Sequence, residues 1–187
     1  EVARGERVEL HAVTDPDDRA TVAGFVAEGD RRQADDPAFR RELAAWLHPT
    51  RARTRDGIPT AAFGVPDLVA RPFPWVIRTF DWGDGQAARD RQLAEGAPAL
   101  LVLATRGDTA HEWLRAGEAL GLVLLDLAVD GYTASFLNQP VEVPALRAAL
   151  ADALGLAAAP QLVLRVGVAP AVPPTPRRLV DDVLELR

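Results

Sequence analysis

The sequence predicts a mixed fold in which strands do not alternate regularly with helices. Three observations carry this expectation. Val8, Leu10 and Ala12 alternate with Arg7, Glu9 and His11, the pattern of a half-buried strand. Ala97–Thr105 is a continuous apolar run, the pattern of a strand covered on both faces. Several segments between and after these two carry helical periodicity, the longest being TAHEWLRAGEALGLVLLDLAV.

After the first strand, Thr14 or Asp15 can cap a helix, Pro16 suits its first turn, and Asp17 and Asp18 complement its dipole. Val22, Phe25 and Val26 form its apolar stripe. Asp36-Pro37 repeats the start signal for a second helix, with Phe39, Leu43, Trp46 and Leu47 at helical spacing. Residues 48–85 show no sustained period and carry Pro and Gly at close intervals, as a functional or mobile loop does. Leu68–Phe80 is apolar but ambiguous, Asp81–Gly85 reads as a turn, and Gln86–Glu95 as a polar helix.

Asp108 is placed to cap the longest helix. The first half of that helix is amphipathic; the second is apolar nearly all round, which predicts a central helix buried on most sides. Gly131 stands where a left-handed C-cap would end it. Tyr132–Pro140 reads as a turn between helices, Glu142–Leu154 as a helix with Pro144 in its first turn, and QLVLRVG as a strand. APAVPPTP is stiffened by its prolines, and RRLVDDVLELR has weak helical character.

Composition narrows the functional classes. At 187 residues, with 48% hydrophobic, the chain is one domain or part of a larger protein, with enough apolar surface for a core. A net charge of -6 argues against general nucleic-acid binding. The absence of cysteine excludes disulfides, thiolate nucleophiles and thiolate metal sites. No apolar run reaches membrane-spanning length, so a cytoplasmic protein that engages neither membrane nor nucleic acid is the expectation. The chain opens at Glu1 almost directly into RVELHAV, from which we expect an upstream part.

No catalytic constellation emerges. His11, His48 and His111 have no ligand spacing, and HEWLR carries Arg115 where a zinc-protease motif needs its second His. The acidic groups Asp15–Asp18 and Asp81–Gly85 lack the Gly and closing Glu of a calcium loop. Arg51, Arg53 and Arg55 read as a solvated loop, and Gly107 alone is no dinucleotide fingerprint. Two segments stay open. Arg177 and Arg178 are either a surface pair or a fork of donors for phosphate. Ser135, Asn138 and Gln139 either satisfy a turn or hydrogen-bond the edge of a flat heterocycle.

Taken as an ordered series, ALLVLAT, WLRAGEALGLVLLDLAVDGYTASFLNQPVEVPALR, PQLVLRVG and TPRR resemble the nitroreductase superfamily of flavin proteins. GDRRQADDPAFRRELAAWL with DGIPTAAFG extends the resemblance over nearly the whole chain, and it points to the actinobacterial Acg-like group. The resemblance implies an α+β fold for residues 1–187: a small, mainly antiparallel sheet flanked by helices, with a long buried central helix at a subunit or pseudo-subunit interface that holds FMN. It places Ser135, Leu137, Asn138 and Gln139 along the isoalloxazine ring and Arg177 and Arg178 at the flavin phosphate. Pro49–Gly64 resembles the segment covering the flavin, with Trp46, Ile58 and Phe63 as its apolar candidates.

The family's basic N-terminal clamp is not found in this chain, which resembles the second of two degenerate halves. The partner half would come from a homodimer or from a missing N-terminal half in a pseudo-dimer. The implied function is FMN-dependent transfer of electrons from a nicotinamide to a nitro or quinone-like small-molecule acceptor. The alternatives are a non-catalytic protein that sequesters FMN under a lid, and a structural domain that binds no flavin. No loop carries a readable code for NADH against NADPH.

Overall fold

The computed structural model describes residues 8–49, 55–63, 65, 70–79, 83–170, 175 and 177–185. Arg51 and Arg53 of the basic loop, Leu68, Asp81, most of APAVPPTP and the Phe63 side chain lie outside the described residues. The chain forms two compact units, residues 1–32 with 83–170 and residues 33–82 with 171–187.

The first unit is built on a four-stranded antiparallel sheet, β1 (Val8–Val13), β4 (Ala99–Thr105), β6 (Ala159–Gly167) and β5 (Thr133–Phe136), in that spatial order. Alternation along β4 explains why its whole run is apolar. Leu100 and Val102, with Val13 and Val163, pack on Val22, Ala23 and Val26 of α1 (Pro16–Asp35), Ala94 of α4 (Gly83–Glu95) and Leu150 of α7 (Pro144–Ala153). Leu103, with Val8 and Leu164, faces the opposite way and meets Ala119 of α5 (Ala110–Val129). The expected α+β class, with helices on a small antiparallel sheet, is what forms.

Local chemistry sets most helix starts. Asp15 Oδ1 accepts from the N–H of Asp17 at 2.9 Å and of Asp18 at 3.3 Å, capping α1. The start of α5 corrects the sequence reading: its cap is Thr109, not Asp108. Glu112 reaches back to the Thr109 N–H at 3.0 Å and also to its hydroxyl, the reciprocal half of a capping box. Asp108 is thereby free for tertiary contacts. Gly131 ends α5 at φ 77°, as expected.

Other expectations change as well. Tyr132–Pro140 is not simply a turn, because Thr133–Phe136 adds an edge strand to the sheet. The expected helix over Glu142–Leu154 is split into a single turn, α6 (Gln139–Glu142), and α7, with Val143 extended between them before Pro144. Among its described residues the C-terminal stretch forms a 3-10 turn at Val180–Asp182.

Helix α5 buries Ala116, Ala119 and Val123, and the partly buried Leu120 packs beside Ala119 on the sheet. Leu114, Leu122, Leu125 and Val129, spaced as one helical stripe, are 71%, 53%, 67% and 85% exposed within this chain. The helix expected to be buried on most sides therefore has one buried face and one apolar face that these residues leave uncovered.

In the second unit α2 (Pro37–Trp46), capped by Asp36 with Ala38 N–H at 2.7 Å, packs on α3 (Phe73–Thr79). Two short strands, β2 (Leu47–His48) and β3 (Ile58–Pro59), pair in parallel. The chain returns to make this pairing through Gly57, at φ 81°, where a Cβ would clash with the His48 ring.

Candidate functional site

The segment 133–139 forms a strap fixed to the sheet at one end and to two helices at the other. Leu137 N–H donates to the Val163 carbonyl at 2.8 Å, extending the β5–β6 register by one residue. Antiparallel alternation then turns the peptide N–H and C=O of Ala134 and Phe136 away from β6. Asn138 Oδ1 accepts from the Val163 N–H at 3.0 Å, so its side chain completes the ladder where the strand stops. Leu137 is a buried core residue, and Ser135 is half-buried opposite Arg165.

Gln139 opens α6 and anchors the far end. Its Nε2 donates to Asp30 Oδ1 on α1 at 3.2 Å and to Asp90 Oδ2 on α4 at 3.0 Å. Gln86 adds a second donor to Asp90 Oδ2 at 2.8 Å. Asp30 and Asp90 are only 4% and 9% exposed. Asp30 Oδ2 and Gln139 Oε1 are buried without a partner. Burial and then the neighbouring Asp90 charge push the Asp30 carboxyl up to about 7, against the opposing pull of Gln139 and Arg31. The approach of the strap depends on Gly29: a Cβ there would stand 2.7 Å from Gln139 Cβ and 2.8 Å from its backbone carbonyl carbon.

The six residues expected at a flavin thus fall into two groups. Ser135, Leu137, Asn138 and Gln139 share the strap in the first unit, whereas Arg177 and Arg178 belong to the second. Arg177 and Arg178 are exposed. Arg177 Nη1 donates to the Thr175 hydroxyl and carbonyl, and Arg178 Nε lies 3.5 Å from Asp56 Oδ2. Asp56 is next to Arg55, itself 3.9 Å from Asp182.

Sequence reasoning missed Asp30, Asp90 and Gly29. A signal was present. Asp30 follows Val22 and Val26 at four-residue steps, and Asp90 lies between Ala87 and Ala94, so both carboxylates occupy buried helix faces.

A second polar cluster has a structural explanation. Asp108 receives Arg147 through both carboxylate oxygens at 2.7 and 2.8 Å, Trp113 Nε1 at 2.7 Å and Gln161 Nε2 at 3.1 Å. The pair joins α7 and β6 to the start of α5 and borders a groove of about 440 Å³ lined largely by Ala and Pro. These hydrogen bonds, Arg147 first, hold the Asp108 carboxyl well below the usual carboxylate range. A depressed carboxyl stabilises the fold above the unfolded-state value and ceases to do so as pH falls through the folded one. Asp108→Ala is expected to cost about 1–2 kcal/mol at about pH 7, a figure moderated by the carboxylate's partial exposure. Urea unfolding should show that cost shrinking toward about pH 2.

Among the described residues, no group of three His, Asp or Glu side chains could hold a metal, and no helix is long and apolar enough to cross a membrane.

No family model matches the chain. Relatives do. Mycobacterium tuberculosis "Putative NAD(P)H nitroreductase Rv3131" is 33% identical over 166 residues, covering 86% of this chain and 47% of that protein. "Putative NAD(P)H nitroreductase acg" of the same organism is 32% identical over 161 residues, covering 81% and 46%. The chain spans about half the length of the curated relatives it matches. Among solved structures, the "FMN and NADPH-dependent nitroreductase NfnB" from sphigopyxis sp. strain HMH has the same fold. Its TM-score is 0.54 at 20% identity, covering 100% of this chain and 85% of that one.

Proposed function

We propose, given that this chain belongs to the nitroreductase superfamily and within it to the Acg-like group, that it forms one wall of an FMN site in a nicotinamide-driven oxidoreductase. The acceptor class is nitro or quinone-like. The observation that carries this reading is the strap. Its outward peptide groups at Ala134 and Phe136 and the half-buried Ser135 supply donors and acceptors along a sheet edge. Such an edge matches the hydrogen-bonding rim of a flat heterocycle better than it matches a catalytic acid, base or nucleophile. When bound, FMN would supply the redox chemistry.

The chain's own part is binding and orientation. Leu137 and Asn138 fix the strap to β6 and Gln139 fixes it to α1 and α4, so the ring-facing groups are held before any ligand arrives. Arg177 and Arg178 would hold the phosphate. Arg178 is already beside Asp56, so the phosphate competes with a carboxylate for that fork. The apolar stripe of α5 is the face for the other half of the site. The relatives' double length favours a pseudo-dimer within one chain over a homodimer. A cytoplasmic location accompanies this reading.

Riboflavin lacks the phosphate, so it isolates the arginines' role. The protein is expected to prefer FMN over riboflavin by about tenfold or more, and R177A/R178A to bind both alike. Equal affinities in the unaltered protein would remove the arginines from the site; failure to bind either flavin would remove the site itself. Anaerobic addition of NADH or NADPH then separates the catalytic reading, in which the flavin absorbance bleaches, from sequestration, in which it persists.

A further inference from the structure

Gln139 is held in an unusual way. One acceptor would fix its amide; instead two carboxylates from different helices converge on the same nitrogen, at 3.2 and 3.0 Å, and both are at least nine-tenths buried. Two negative charges brought together in a dry site cannot both remain ionised without compensating cations. The groups bearing on Asp30 are Asp90 from α4, the uncharged amide of Gln139 from α6, and Arg31 on α1 itself. On Asp90 the further neighbour is the amide of Gln86. Arg31 is half-exposed and engaged by Asp84 at 3.2 Å and Glu28 at 3.7 Å, so its charge is largely neutralised outside the pair. Asp30 Oδ2, buried with no donor, is an acceptor in need of a proton.

We infer that Asp30 and Asp90 hold one proton between them at neutral pH, and that the protonated pair positions Gln139 and with it the whole 133–139 strap. A carboxyl sandwiched this way donates to its neighbour while both accept from Gln139, so neither carboxylate faces the other as a bare charge. When the proton leaves, two like charges face each other between α1 and α4. The least costly relief is separation of those helices and entry of water beneath Gln139. A buried carboxyl raised to about 7 favours the fold where it is protonated. Its contribution therefore declines as pH rises from the ordinary carboxylate range and has gone above about 7. Proton sharing stands on the geometry alone; its consequence for FMN rests on the function proposed above.

Infrared difference titration of the whole protein reads the proton directly. A carboxylic C=O band that disappears as pH rises through neutrality in the unaltered protein, and that is absent from Asp30→Asn, is expected. Only ionised carboxylates at about pH 6 would overturn the inference. Hydrogen exchange reads the positioning role. Protection of the β6-facing Ser135 and Leu137 amides, corrected for intrinsic chemistry, should fall about tenfold or more between about pH 6 and about pH 8.5 in the unaltered protein. In Asp30→Asn, whose amide mimics the protonated acid, the change should be less than about twofold. A titrating band with pH-independent protection would refute the positioning role. FMN affinity should weaken over the same interval and stay flat in Asp30→Asn. If FMN binds at no pH, the flavin reading fails while infrared and exchange still decide the proton. If Asp30→Asn does not fold, the unaltered protein and Asp90→Asn decide both points by the same two measurements.

Discussion

Gly29→Ala will destabilise the protein by about 2 kcal/mol, whereas Gly24→Ala, on the same helix, will stabilise it by about 1 kcal/mol. Both glycines lie inside α1, and each gains the same helix propensity on becoming Ala. They differ in what a methyl group meets. At Gly24 nothing lies within 4 Å; at Gly29 the methyl would be 2.7 Å from Gln139 Cβ and 2.8 Å from Gln139 C. The Gln139 backbone cannot swing aside as a long side-chain tip would, because Leu137 and Asn138 tie it to Val163 and the Gln139 amide ties it to Asp30 and Asp90. Overpacking costs of about 3 kcal/mol therefore outweigh the propensity gain of about 1 kcal/mol. Paired urea unfolding curves test the contrast. Equal stabilisation at both positions would mean that the strap moves freely away from α1. Faster exchange of the Ser135 and Leu137 amides in Gly29→Ala would locate the strain in the strap.

The parts of this molecule that were legible in its sequence are those fixed by local chemistry. Asp15 and Asp36 with their following prolines mark the starts of α1 and α2, and the uninterrupted ALLVLAT run marks β4 as covered on both faces. Gly131 marks the end of α5. The family was legible from an ordered series of such segments, and relatives at 32–33% identity support it.

What stayed hidden depends on distant partners. Thr133–Phe136 is only four residues long, too short for its alternation to stand out, and its strand character comes from β6. Asp108 resembled a helix cap because its proper partner, Arg147, lies far along the chain, and Thr109 with Glu112 took over the cap. Asp30, Asp90 and Gln139 come from three helices, so their meeting could not be read from spacing. Only the placement of each carboxylate on a buried helix face foretold that it needed a partner. The apolar second half of α5 reads as a helix buried on most sides, whereas among the described residues Leu122, Leu125 and Val129 of that half are exposed.

Gln139→Ala will cost about 3 kcal/mol, and more at about pH 8 than at about pH 6. The amide is the shared donor to two nearly buried carboxylates, so its removal strips Asp30 Oδ1 and Asp90 Oδ2 together. Gln86 still serves Asp90, but Asp30 has no corresponding second donor. Because the Gln139 hydrogen bond holds the Asp30 carboxyl down, deleting it lets burial and Asp90 raise that carboxyl further. The variant then binds its proton more tightly when folded than the unaltered protein does. Its stability accordingly falls over a wider span as pH rises, and the two unfolding curves diverge above neutrality. Below about pH 6 the protonated pair retains one internal hydrogen bond, and the loss approaches that of an ordinary buried donor, about 1–2 kcal/mol. Gln139→Glu goes further in the same direction, since it exchanges the donor for a third carboxylate in a site that already cannot hold two charges. Urea midpoints for Gln139→Ala measured at the two pH values decide the matter. A pH-independent loss would show that Gln139 is only a packing residue, and that the strap is held by Leu137 and Asn138 alone.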